Sequence, residues 1–139
     1  MEGLARSGLI AAIAALSLNA PLAGTFALLG GAPKVAAEMT VRHGAQGTDS
    51  IDLFETKDQA TKPILKYDAE MTQLIHFIVI SSDFTHFIHV HPTFDPKTGH
   101  FTIDLPLDPS RQYIAYADTV PSGIGQQVFR FVLPAGQTG

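Results

Sequence analysis

The sequence predicts an all-β fold, a small antiparallel β-sandwich of seven or eight short strands behind an N-terminal apolar segment. Two observations lead there. Apolar and polar residues alternate in short runs, as in Asp49–Thr56, His100–Leu107 and Arg111–Thr119. Turn-forming residues punctuate these runs about every eight to twelve positions, and no helical periodicity occurs beyond the leader.

Composition bounds the function. The chain has 139 residues, enough for one domain plus a targeting segment, with 45% apolar and 16% charged residues. The net charge is −4 and no run of Lys or Arg exists, which argues against nucleic-acid binding, because phosphates need a clustered basic face. Cysteine is absent, so disulfides, thiolate metal sites and cysteine nucleophiles are excluded.

No charged residue lies between Ser7 and Pro33. The stretch from Leu9 to Leu18 has the length of a signal-peptide core, preceded by a short segment carrying Arg6. Val35-Ala36-Ala37 offers small residues for cleavage before Glu38, and Thr25-Phe26-Ala27 offers a second place. The competing reading is an uncleaved anchor through residues 7–33, although Asn19-Ala20-Pro21 interrupts a continuous helix. Residues 1–37 are thus read as a signal peptide or membrane anchor, and 38–139 as the β-sandwich domain. Both readings place that domain outside the cytoplasm, in the periplasm or secreted.

Within the domain, Met39–His43 and Asp49–Thr56 read as strands, and Pro63–Tyr67 as an edge strand. Gln73–Ser81 is rich in β-branched and aromatic residues. Ser82–Thr85 forms a turn in which Asp83 bonds the backbone just beyond it, and His86–Phe94 is the return strand. In Asp95-Pro-Lys-Thr-Gly99, Pro96 presets the first bend and Gly99 takes a positive φ. His100–Leu107, Arg111–Thr119 and Gln126–Leu133 complete the set. In the second of these, Tyr113, Ala115 and Ala117 share a face.

Four of the six histidines fall within residues 73–92. Pairing Ser81 with His86 across the turn sets a register that places His76 opposite His91 and Ile78 opposite His89. Alternation then puts His76, His89 and His91 on one face, with cross-strand Cβ atoms about 5 Å apart. Three convergent imidazoles suit copper(II), zinc(II), nickel(II) or cobalt(II), and suit calcium or magnesium poorly. His100 opens the next strand and is a candidate fourth donor, its face depending on a one-residue bulge. His86 has the opposite parity and ranks last among the candidates. Protonated imidazole cannot ligate, so binding fades at acid pH.

Other residues read more plainly. Phe84 and Phe87 are expected in the core or as a wall of the site, and Met39 and Met71 as packing residues rather than copper(I) ligands. No nucleophile-elbow pattern occurs and no acid/base pair is marked, so no catalytic or organic-cofactor site is assigned. A cupin-like metalloenzyme, whose H-x-H pattern His89-Val-His91 imitates, lacks its downstream histidine here, because none follows Leu105. A metal-free structural or adhesive envelope domain is the other alternative.

Residues Leu74, His76, Val79, Ser81, Asp83, Phe87, His89, Val90, His91 and Pro92 follow a pattern close to L-H-x-x-V-x-S-x-D-x-x-x-F-x-H-V-H-P. This resembles a family of exported bacterial β-sandwich proteins, with Leu74 standing one position further from His76 than is usual there. The likeness continues through Gly99-His-Phe101, Tyr113 to Asp118, and Val128-Phe129, covering residues 73–133. The resemblance implies an immunoglobulin-like sandwich and a link to heavy-metal handling, copper in particular, in the cell envelope. The partners it implies are the metal ion and an envelope metal transporter or another envelope protein. His86 and His100 do not belong to the pattern.

Overall fold

Buried and exposed side chains alternate strictly along most strands, as period-two geometry requires when one face meets a core. In this computed structural model residues 21–26, 34–57 and 60–134 are described. They form ten strands: β1 (Leu22–Ala23), β2 (Thr25–Phe26), β3 (Val35–His43), β4 (Asp49–Lys57), β5 (Ile75–Ser81), β6 (Phe87–Val90), β7 (Thr93–Asp95), β8 (His100–Leu105), β9 (Tyr113–Thr119) and β10 (Gln127–Leu133).

The strands make two antiparallel five-stranded sheets, ordered β1-β3-β4-β8-β7 and β2-β10-β9-β5-β6. Their inner faces share one core, in which Phe77, Phe101, Phe129, Phe131, Met39 and Leu53 are fully buried. Each such side chain contributes about 1.5–3 kcal/mol through removal from water. This is an all-β, two-sheet β-sandwich. The strand count exceeds the seven or eight expected, because β1, β2 and β7 are two- or three-residue pieces too short to leave an alternation in sequence.

The chain changes sheet at both edges of the sandwich. At one edge β1 pairs with β3 and β2 with β10, with Gly24 between them. A Cβ at Gly24 would stand 2.7 Å from the Phe131 ring, so the close passage needs glycine. At the other edge β6 belongs to one sheet and β7 to the other. The single return strand expected over His86–Phe94 is therefore two strands. Pro92, which has no N–H to offer a ladder, marks the crossing.

Several other boundaries differ from the sequence reading. Residue 38, the expected start of the domain, lies inside β3, where Val35 and Ala37 are already buried. Pro63–Tyr67 makes isolated bridges to Thr56 and Pro121 rather than an edge strand. The apolar run Leu9–Leu18 lies outside the described residues. Among those described, no helix is long and apolar enough to cross a membrane.

The Asp95–Gly99 turn forms as its residues dictate. Gly99 has φ +79° and donates to the Asp95 carbonyl at 2.8 Å, while Lys97 N–H donates to the Asp95 carboxylate. A Cβ at Gly99 would meet the Ile64 carbonyl at 2.5 Å, so both backbone and space demand glycine.

Candidate metal centre

The β5–β6 hairpin takes the register the sequence sets. Ile78 pairs with His89, Val79 with Ile88 and Ile80 with Phe87. The turn is closed by Ser81 N–H donating to the His86 carbonyl (3.0 Å) and His86 N–H donating to Ser81 Oγ (2.9 Å). Asp83 accepts from the Thr85 N–H and from the hydroxyls of Ser81 and Thr85, and pairs with Arg111 at 2.6 Å. These bonds hold its carboxyl far below the usual carboxylate range, led by the Ser81 hydroxyl. Asp83 shapes the turn.

Ile75, Phe77 and Val79 fill the core, which turns His76, Ile78 and Ile80 to the outer face of the sheet. On the edge strand, Ile88 and Val90 lean inward while Phe87 and His89 face water. His91 follows at the corner before Pro92. The imidazole centroids of His76, His89 and His91 lie 5.0–5.7 Å apart, and one nitrogen from each falls within 4.8 Å of the others. Metal–nitrogen bonds of about 2.0–2.1 Å place neighbouring ligand nitrogens roughly 2.9–3.4 Å apart. Small side-chain rotations therefore bring all three onto one ion.

Backbone carbonyls orient two of the rings. The His91 Nδ1–H donates to the Ile75 carbonyl at 3.0 Å, and the His76 Nε2–H donates to the Glu70 carbonyl at 3.1 Å. A carbonyl only accepts, so each bond fixes a tautomer and leaves a lone pair on His91 Nε2 and His76 Nδ1. His89 makes no hydrogen bond through its ring among the described residues. The set offers three nitrogen donors, with His89 and His91 exposed to solvent.

The other candidate donors stand elsewhere. His100, expected as a fourth donor, lies on the outer face of the opposite sheet, where Nδ1 contacts Asp52 at 2.6 Å and the ring stacks on Phe54. No bulge turns it, because β8 runs in unbroken register with β4 through Phe101 to Leu105. His86 sits in the hairpin turn, bonded to the Thr85 hydroxyl at 2.9 Å. His43 pairs with Asp49 at 3.1 Å.

The structure also places residues that the sequence reading misplaced or passed over. Phe84 and Phe87 are 83% and 65% exposed, so neither is core, and Phe87 shares the outer face with the trio. Met39 is buried as expected, whereas Met71 is 88% exposed and so is not the packing residue expected. Asp118 on β9 stands directly across from His76, its carboxylate accepting from Gln126 Nε2. Glu55 is wholly buried, accepting from the Thr119 hydroxyl at 2.8 and 3.0 Å. Burial pushes its carboxyl up to about 7. The Tyr67 hydroxyl faces the same carboxylate without reaching good hydrogen-bond geometry, and burial beside that acid pushes its pKa strongly upward. An inward acid on a strand that alternates cleanly was the signal for Glu55.

Comparison with protein-family models, with curated proteins and with solved structures finds no match to the chain.

Proposed function

We propose that this is an exported, non-enzymatic metal-binding protein of immunoglobulin-like type that holds copper(II) through His76, His89 and His91. Zinc(II) and nickel(II) are the competing ions. The observation that supports it best is the trio itself, with three ring nitrogens within 4.8 Å and two tautomers set by backbone carbonyls. Imidazole donors favour copper(II) over the other divalent ions of the first row. Exposure of His89 and His91 to solvent suits exchange with an envelope transporter or another envelope protein, in the periplasm, after secretion or at an N-terminal anchor. The role would be metal handling or resistance.

One observation favours the metal-free alternative, a structural or adhesive envelope domain: His76 and His91 already have hydrogen-bond partners. Those bonds engage one nitrogen of each ring and leave the other available. Calorimetric titration of the purified protein with copper(II), zinc(II) and nickel(II) separates the two readings. One ion per chain is expected, with binding lost in His89→Ala/His91→Ala. Equal binding by that variant would sink the proposal. The cupin-like reading would return only with an iron or manganese centre that turns over oxygen.

A further inference from the structure

We propose that the groove between the segment ending at Lys66 and the Pro121–Gly125 loop binds a free anionic amphiphile, one carboxylate head on an alkyl tail. The site stands apart from the metal reading, because no residue of the histidine trio lines it.

Shape and lining suit the tail. The groove encloses about 440 Å³, within the range of about 300–1,000 Å³ usual for small-molecule sites. Pro63, Ile64 and Leu65 line one wall and Ile124 the other. Leu65 is 48% exposed, so a tail lying along it removes apolar surface from water.

Charge chooses the head. Lys57, Lys62 and Lys66 line the same groove, and all three are exposed. Lysine stems lie along apolar surface and carry their ammonium heads to the water's edge. The chain has nine Lys and Arg against thirteen Asp and Glu, yet three of the nine gather here and no described acid lines the groove. Among the described residues none of the three pairs with an acid. Asp68, which comes next to the lining, accepts from the Ser122 hydroxyl at 2.7 Å. A cationic head would be repelled, and an uncharged one would gain nothing from the three ammonium groups.

The walls are held in place before any ligand arrives. Ile64 N–H donates to the Glu55 carbonyl at 2.7 Å, which ties one wall to β4. Ser122 N–H donates to the Lys66 carbonyl at 3.0 Å and Tyr67 bridges Pro121, which ties the walls to each other. A preformed groove avoids the ordering that weakens binding to mobile loops.

A bilayer surface fits less well. Attachment to anionic lipid draws on clusters of about 4–8 basic residues. Here three surround a concavity, and the net charge of −4 opposes adsorption to an anionic surface.

The test titrates the purified full chain by calorimetry with decanoate, octanoate and decanol, and measures its association with phosphatidylglycerol vesicles. Decanoate is expected to bind one per chain, about fivefold or more tighter than decanol. Octanoate should bind about tenfold weaker than decanoate, because each buried methylene contributes about fourfold. Lys62→Gln/Lys66→Gln should weaken decanoate about fivefold or more and leave decanol unchanged. Asp58 follows Lys57 in the sequence, so Lys57 is left in place. Leu65→Asn should weaken decanoate and decanol alike by about threefold or more. The three substituted side chains are exposed, so the thermal midpoints should stay close to that of the parent. Absence of saturable decanoate binding, or equal affinity for decanoate and decanol, would overturn the proposal. Decanoate affinity unchanged in the lysine variant would overturn the role of charge, and affinity unchanged in Leu65→Asn would place the tail elsewhere on the chain. Association with vesicles alone would make this face a membrane contact instead.

Discussion

The two sheets both carry histidines near their surfaces, and they hold them by different partners. On the β4–β8 side each ring meets one acid, His43 with Asp49 and His100 with Asp52, and His100 also lies against Phe54. On the β5–β6 side His76 and His91 are held by main-chain carbonyls, and the three rings face one another. A carboxylate and a carbonyl each engage one ring nitrogen and leave the second free, so the partner alone does not separate the two sides. What differs is grouping: His43 and His100 each stand with a separate acid, whereas the rings of His76, His89 and His91 lie 5.0–5.7 Å apart with a nitrogen of each within 4.8 Å of the others. Convergence of the rings, more than the count of histidines or the partner of each, separates a surface pair from a candidate metal site.

Several measurements would break or sharpen this contrast. The largest effect is expected on metal affinity. His89→Ala/His91→Ala should weaken copper(II) binding by about a thousandfold or more, since each ligand lost exceeds the 10–100-fold typical of its supporting partners. His43→Ala/His100→Ala should leave affinity within about twofold. Equal losses in the two variants, read by calorimetry, would erase the distinction between the sheets.

The next effect concerns the acid buried between the two faces. Burial lifts the Glu55 carboxyl from 4.5 to about 7, so across that interval the folded chain keeps a proton that the unfolded chain has released. Its contribution to stability is complete below pH 4.5 and is lost as pH rises through about 7. Urea unfolding should show the protein less stable near pH 8 than near pH 5 by up to about 3 kcal/mol, and Glu55→Gln should flatten that slope. A slope that survives in Glu55→Gln assigns it to other groups.

The smallest effect separates the sheets by stability alone. His100→Ala should cost about 1 kcal/mol or less, from a partly exposed imidazole–carboxylate contact and a stacked ring. His89→Ala, with no ring hydrogen bond to lose, should leave the unfolding midpoint unchanged without metal. A larger loss at His89 than at His100 would show that the trio carries structural weight.

Much of this arrangement was legible in the chain. The hairpin register followed from one turn, because Ser82–Thr85 links two runs whose pairing it alone sets, and Asp83 bonds the turn as its position requires. The positive φ at Gly99 followed from the Asp-Pro start of its turn. The return strand was read as one piece because Val90 to Phe94 keeps a strand-like composition, although the chain crosses to the other sheet there. Asp68 to Thr72 was legible as a loop or single turn, but the positive φ of Met71 and Thr72 was not, because neither residue type favours it. His100 could not be assigned to a sheet, since its neighbour Asp52 is 48 positions away.

What the sequence alone determined is local: period-two alternation, the turn chemistry, and the grouping of His76, His89 and His91 on one face. These depend on covalent spacing and on one short loop, so a few residues suffice to specify them. The tertiary structure decided which face meets water, which sheet each outlying histidine joins, which carbonyls hold the rings, and that Glu55 lies in the core. Each of those depends on pairing between strands distant in the chain, where long-range packing rather than neighbouring residues makes the choice.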